Sequence, residues 1–365
     1  MRHDQRSMSS SRTSGRSRYL IAAGGTAGHV VPALAVADEL RTDGSLVVFA
    51  GGGRAEAELV PAAGYEFVGF QVEGLSRSNP FKALVAAGKA LAATFRAWRL
   101  IGKLRPSAVM GGGGYVAGPV GLAAVLRRRP LVLTEADSHL GLTNRLLAPF
   151  ARRVGLAFAI EGRSAPRFVV TGRPIPPPAT DRQAARAHFG VPEGRPLVAI
   201  VGGSLGARSI NEAAIEAFGQ ADDLEVVHAA GERDLAALKE HAVGPHYRLF
   251  GYIDDFDQAL AAADLVVSRS GGSVFEIAAA GCPAVLVPYP YAAADHQAGN
   301  AAWMAGAGAA VVIDDDRLDA ERLAATVREL LADPGRLEQM RQAALSIARP
   351  GAAAEVAGLL REAAA

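Results

Sequence analysis

Tyr19-Leu20-Ile21-Ala22-Ala23 runs into Gly24-Gly25-Thr26-Ala27-Gly28-His29, and Leu197-Val198-Ala199-Ile200-Val201 runs into Gly202-Gly203-Ser204-Leu205-Gly206-Ala207-Arg208. Each stretch is a short apolar run of strand type, then a glycine turn, then an Ala/Leu-rich helical segment. At one constant spacing Gly25 meets Gly203, Thr26 meets Ser204 and Gly28 meets Gly206. Strand, glycine turn and helix together open a doubly wound parallel sheet. Finding that device twice predicts two similar α/β domains in one chain. Between and after the two openings, apolar strand-like runs keep alternating with helical stretches, as parallel sheets covered by helices require. The first helix is expected over about 32–40, with Pro32 in its first turn, where a missing N–H costs nothing.

The length of 365 residues exceeds what one hydrophobic core usually supports. Gly172-Arg173-Pro174-Ile175-Pro176-Pro177-Pro178 is the boundary candidate, because such a run continues neither helix nor central strand. The expected division is a Ser/Arg-rich disordered tail over 1–17, a first domain over 18–172 and a second over 173–349. The segment 350–365 is an Ala/Leu helix that pattern alone assigns to neither domain.

Composition narrows the function classes. Half the residues are hydrophobic and 21% are charged, which excludes a disordered chain. A net charge of +1 supplies no global field for nucleic acid, so no nucleic-acid partner is expected. The single cysteine, Cys282, excludes an internal disulfide and fits a reducing cytoplasm. Eight scattered His and one Cys do not make a structural zinc site. The uncharged stretches 107–126 and 277–294 are broken by glycine and proline, so they are predicted as strand, turn and buried helix rather than bilayer spans. The tail lacks the apolar region of a secretory signal.

Two further junctions are glycine-rich: Gly111 to Gly114 before Tyr115, and Ser270-Gly271-Gly272-Ser273 before Glu276. A helix N-terminus offers unpaired N–H donors and about half a positive charge, worth roughly 0.3–1 kcal/mol per anionic contact. Two such ends facing each other across a cleft would hold a pyrophosphate. Neither a P-loop nor a clean G-x-G-x-x-G fingerprint is present, which disfavours an NTPase and a dehydrogenase. Asp255-Phe256-Asp257 is formally D-x-D but precedes an Ala-rich helix, where acids cap and complement the dipole. Asp314-Asp315-Asp316 is expected to be a solvated turn. No metal and no cofactor are inferred.

The two opening turns, Gly113-Gly114-Tyr115-Val116-Ala117-Gly118-Pro119, Arg269-Ser270-Gly271 with Glu276-Ile277-Ala278-Ala279-Ala280-Gly281, and Asp295-His296-Gln297 with Asn300-Ala301 resemble, in order, the MurG family. These GlcNAc transferases convert lipid I to lipid II in peptidoglycan synthesis. The resemblance runs from about Tyr19 to the C-terminus. It implies a GT-B architecture, two Rossmann-like doubly wound parallel-sheet domains with an interdomain cleft, and a C-terminal helix returning to the first domain. It further implies UDP-GlcNAc as donor, lipid I as acceptor and work at the cytoplasmic face of the membrane as a peripheral protein. His29 is implied as the general base, a role that a neutral imidazole at a helix start can fill. Thr26, Ala27, Gly28, Asp137, Ser204, Leu205, Gly206, Ile253, Ser273, Val274, Phe275, Glu276 and Gln297 are implied to bind the donor, with Glu276 on the ribose hydroxyls. Gly113, Gly114 and Tyr115 are implied to face the acceptor pyrophosphate. Four features depart from the family pattern: Ala27 for Gly, Asp137 for Asn, Pro176 for an Arg, and a junction before Glu276 one residue short. A UDP-GlcNAc 2-epimerase, a GT-B transferase with another acceptor and a non-catalytic nucleotide-sugar-binding module remain alternatives.

A membrane contact has its own signal. Lys82, Lys89, Arg96 and Lys103 recur every seven residues, nearly opposite a stripe of Leu84, Leu91 and Trp98 that Phe95 joins. Either the apolar stripe packs on the sheet and the basic face is solvated, or the helix lies on anionic lipid.

Overall fold

The structure, a computed structural model, describes residues 16–70, 80–203, 205–241, 243–292 and 295–365, with only the backbone of 80–87. All of the expected tail except residues 16 and 17 lies outside the described residues.

Two parallel sheets form the framework. The first contains β1 (Arg18–Ala22), β2 (Leu46–Gly51), β3 (Glu66–Gly69), β4 (Ala108–Gly111), β5 (Leu131–Glu135), β6 (Arg153–Leu156) and β7 (Phe168–Val170), in the order β3-β2-β1-β4-β5-β6-β7. The second contains β8 (Leu197–Val201), β9 (Glu225–Ala229), β10 (Tyr247–Phe250), β11 (Leu265–Ser268), β12 (Ala284–Leu286) and β13 (Ala310–Val312), in the order β10-β9-β8-β11-β12-β13. In each sheet the winding reverses beside the opening strand, β1 next to β4 and β8 next to β11. Ligands of open α/β sheets bind at the carboxyl ends of strands at that reversal. The two opening turns, Gly24–His29 and Gly202–Arg208, stand there, one per sheet. The first strands are almost wholly apolar because both faces are covered. Helices Ala27–Arg41 and Ala352–Ala364 cover one face of the first sheet, and Pro80–Leu104 and Gly114–Leu126 cover the other.

One expectation changes, and one alternative narrows. The first helix starts at Ala27, well before Pro32, so Pro32 lies inside it. Without an N–H, Pro32 cannot bond the carbonyl four residues back, and the free carbonyl of Gly28 instead accepts the guanidinium of Arg173. Of the two readings left open for the apolar stripe, packing on the sheet does not hold for Leu91, Phe95 and Trp98, while the side chains of Leu84 and Lys82 lie outside the described residues. Ala93, Ala97 and Ile101 are the buried face of that helix, and the larger residues are exposed. The stretch 107–126 is a strand, turn and helix. No described helix is long and apolar enough to cross a membrane.

The chain crosses between the halves twice, and the crossings touch. Gly172 lies flush against the side chain of Arg349, whose Nη1 donates to the Val170 carbonyl at 3.0 Å. The helix Ala352–Ala364 then docks on the first sheet. Val356 and Leu360 are fully buried there, and Arg361 binds Asp43 and the Glu39 carbonyl, each at 2.8 Å. Leu360→Ala should therefore cost about 2–5 kcal/mol of stability in urea unfolding. A loss below about 1 kcal/mol would show that the return helix contributes little to the first core.

Candidate active site

A cleft of about 1090 Å³ opens between the carboxyl ends of the two sheets. Thr26, Ala27 and Gly28 line it from the first half, and Gly203, Leu205, Gly206, Ile253, Ser273, Glu276 and Gln297 from the second. Arg173 projects from the crossing segment between them. Ser204 lies outside the described residues.

On the first side, two loops interlock through glycine. The Gly112 N–H donates to the Ala22 carbonyl at 2.8 Å, which brings the loop after β4 onto the loop after β1. Gly114 has φ +77°, and a Cβ there would overlap the Gly24 carbonyl. Only glycine permits this approach. Thr26 takes the N-cap position of the first helix, and its hydroxyl lies 3.5 Å from Nδ1 of His29. The half-buried imidazole packs on Gly113, where a Cβ would stand 2.6 Å from its Cδ2. Burial and then the Arg173 charge lower the His29 pKa, against the pull of Asp137 and Glu56. At neutral pH the imidazole is therefore uncharged, the form that accepts a proton. Asp137 comes from the loop after β5, where its own N–H donates to Glu135 at 3.2 Å.

The Tyr115 hydroxyl turns inward. It donates to Oε1 of Glu56 at 2.8 Å, and burial followed by that carboxylate pushes its pKa up to about 12. Its proton is committed to Glu56 and not to a ligand phosphate. Sequence reasoning missed Glu56. A signal existed in Gly51-Gly52-Gly53-Arg54-Ala55-Glu56, another strand-to-helix glycine junction with an acid in the first helical turn.

On the second side, Glu276 stands in the first turn of the helix Val274–Ala279, on the cleft wall. Burial raises its pKa to about 7, opposed by Arg173 and reinforced by Asp257. The Gln297 Oε1 accepts from the Tyr289 N–H at 3.0 Å, and its Nε2 lies toward Gly271. Ile253 is buried, so only part of it reaches the wall. Val274 and Phe275 depart from the donor-binding expectation. Val274 is buried in the core, and Phe275 stacks on Phe158 and Trp303 at 5.1 and 5.2 Å. Their N–H groups already bond the Gly271 and Gly272 carbonyls, each at 3.3 Å, so neither residue faces the cleft. Asp315 also corrects the solvated-turn expectation. It accepts from Arg269 at 2.6 Å and from Ser209 at 2.6 Å, and all three line the cleft. Asp255 holds the N-cap position of the next helix without a side-chain capping bond.

Arg173 holds the centre. Besides the Gly28 carbonyl it lies 5.9 Å over the Phe275 ring, close against Gly272, with Glu276 and Asp137 as its facing charges. Glu276 has a titration consequence. Its folded-state pKa lies above its ordinary value, so its contribution to stability is full at low pH and is lost as pH rises through about 7. Glu276→Gln should therefore melt above the parent at about pH 8, with the gap narrowing at about pH 5 in scanning calorimetry. An equal gap at both pH values would contradict the buried-carboxyl assignment.

The profile of the glycosyltransferase family 28 N-terminal domain matches residues 19–156, and that of the family's C-terminal domain matches residues 197–356. The UDP-N-acetylglucosamine--N-acetylmuramyl-(pentapeptide) pyrophosphoryl-undecaprenol N-acetylglucosamine transferase of Moorella thermoacetica is 42% identical over 92% of this chain and 96% of its own length. The crystal structure of Acinetobacter baumannii MurG is similar with a TM-score of 0.74 and 31% identity, over 95% of this chain and all of that one. The UDP-GlcNAc 2-epimerase of Neisseria meningitidis, at 12% identity and a TM-score of 0.67 over 94% of this chain and 100% of its own, shares the fold alone. Two family 28 domains in order, a GT-B fold and near-full-length identity at this level agree: the chain belongs to the MurG family of glycosyltransferases.

Proposed function

We propose that the chain transfers GlcNAc from UDP-GlcNAc to the 4-hydroxyl of the MurNAc unit of lipid I, with inversion, releasing UDP and lipid II. One observation carries the reading. A neutral imidazole, His29, stands beside the two-sided cleft in a chain 42% identical to an enzyme named for this transfer. The acceptor oxygen attacks the anomeric carbon as the bond from that carbon to the β-phosphate oxygen breaks. His29 takes the hydroxyl proton, and the bonding pair leaves with UDP. The helix start at Thr26–Gly28 and the glycine turn that leads into the helix Arg208–Phe218, with the Arg173 guanidinium, stabilise the charge that grows on the diphosphate. Glu276 accepts from the ribose hydroxyls, the Ile253 backbone meets the uracil, and the Gln297 amide reads sugar hydroxyls. Gly113 and Gly114 border the acceptor side.

The membrane surface is the place of work. Leu91, Phe95 and Trp98 are exposed on one helix, Leu126 on the next, and Leu146 and Phe150 just beyond it. Arg127 stacks over Trp98 at 3.4 Å, tying the first two helices together. Exposed Arg99 follows Trp98, exposed Arg128 stands two residues after Leu126, and exposed Arg145 precedes Leu146. Apolar side chains rimmed by cations suit an interface of anionic lipid, each cation adding about 1 kcal/mol. This combines the two halves of the sequence alternative: the stripe faces outward and joins the basic residues on lipid.

His29→Ala should lower kcat by about 10²–10⁴-fold with UDP affinity intact. Near-normal kcat with both substrates saturating would end the base assignment. Glu276→Ala should weaken UDP binding by about 10–100-fold in calorimetry, and unchanged affinity would reject the ribose role. Replacing Leu91, Phe95 and Trp98 together by Ser should abolish flotation with anionic liposomes while sparing turnover of a short-chain acceptor. Undiminished flotation would move the lipid contact elsewhere.

A further inference from the structure

Glu56 is completely buried, and among the described residues it has no cationic partner within ion-pair distance. A buried carboxylate without a counter-ion costs several kcal/mol unless hydrogen bonds replace its water. Three donors do so here. Oε2 accepts from the Gly25 N–H at 2.9 Å, and Oε1 accepts from the Gly52 N–H at 2.8 Å and the Tyr115 hydroxyl at 2.8 Å. The donors come from the loops after β1 and β2 and from the first turn of the helix Gly114–Leu126 that follows β4. Burial pushes the carboxyl pKa up, but the amides of Gly25, of Glu56 itself and of Gly52, with the Tyr115 hydroxyl, more than cancel that, and the group stays ionised. Space is equally committed: a Cβ on Gly24 would stand 2.7 Å from Oε1, and one on Gly51 2.6 Å from Cγ.

A plain core contact would be served by an apolar side chain. What the carboxylate adds is a lock on the Gly25 amide, four residues before His29, and a charge. Four neighbours act on the imidazole: Arg173 from the crossing segment, Asp137 after β5, Glu56 after β2, and the Thr26 hydroxyl on its own helix. Arg173 disfavours its protonation, and the two carboxylates favour it.

We propose that Glu56 is a positioning residue for the transfer: its carboxylate locks the glycine turn that leads into the His29 helix to the first turn of the helix bearing Tyr115, and stands as a fixed negative charge behind the base. This rests on the reading of His29 as the base. Displacing a catalytic group by about 1 Å costs on the order of 10²-fold in rate, so the lock governs turnover without touching substrate.

The test uses the full chain, UDP-GlcNAc and a lipid-linked acceptor, with turnover followed from about pH 5 to 9 and UDP affinity by calorimetry. Glu56→Gln should lower kcat/KM for the acceptor by about 10–100-fold. It should weaken UDP affinity by much less than it weakens acceptor turnover, because the uridine is read from the second sheet while Thr26–Gly28 reach only the diphosphate. It should also move the acid limb of the pH profile downward, since removing a nearby negative charge makes the imidazole harder to protonate. Tyr115→Phe keeps the charge and removes one hydrogen bond, so turnover should fall with the limb in place. Wild-type kcat/KM in Glu56→Gln would overturn the proposal, as would a loss of activity with the limb unmoved. Should Glu56→Gln fail to fold, wild-type turnover by Tyr115→Phe would overturn it. No transfer by the unmutated chain, with UDP still bound, would fail the parent reading and this role with it.

Discussion

The cleft is organised around a single cation. Arg173 leaves the segment joining the two sheets and takes the Gly28 carbonyl, an acceptor that is free because Pro32 has no N–H to give it. A proline that looks like a start signal thus works as a vacancy inside the helix. Glu276 and Asp137 are the opposite charges that act on the guanidinium, one from each half. A full charge here outweighs the half charge of either helix start, so in the proposed transfer the guanidinium would balance more of the diphosphate's charge than the amides would. Burial first, and then this same cation, lower the His29 pKa and favour the uncharged imidazole.

Glycine does two separate jobs in these loops. Gly114 lets one turn lie on the backbone of another, and Gly206 does the same against the Ala230 carbonyl in the second half. Those are packing roles. The Gly25 amide is already spent on Glu56, so the first turn presents only its later N–H groups to a ligand. A glycine-rich junction is thus partly a scaffold and partly a binding surface, and the division follows from which amides are satisfied internally.

The repeat of strand, turn and helix made the two sheets legible, because period and glycine spacing are local properties of the chain. The same locality limited the rest. Val274 and Phe275 sit beside Glu276 in sequence, yet helical geometry turns them into the core while Glu276 faces the cleft. The Leu91–Trp98 stripe read as either a packing face or a lipid-facing one, because a helical period does not say what lies beside it. The smaller series Ala93, Ala97 and Ile101 is what fits against the neighbouring helix Gly114–Leu126. Asp315 pairs with Arg269 across 46 residues, and Glu56 with Tyr115 across 59. Such partners meet only once the sheet order is known. The return of the last helix was implied by family resemblance and not by its own alternation, which suited either half.

The two crossings deserve a mechanical reading. Gly172 and Arg349 run shoulder to shoulder, so the halves are joined by a pair of adjacent pins rather than one flexible tether. Two pins side by side suppress swivelling and sideways shear while leaving one rotation soft, the swing of covers about a spine. Arg173 follows directly after the first pin. Its guanidinium then reaches the Gly28 oxygen, so the bond that spans the mouth of the cleft starts at the spine itself.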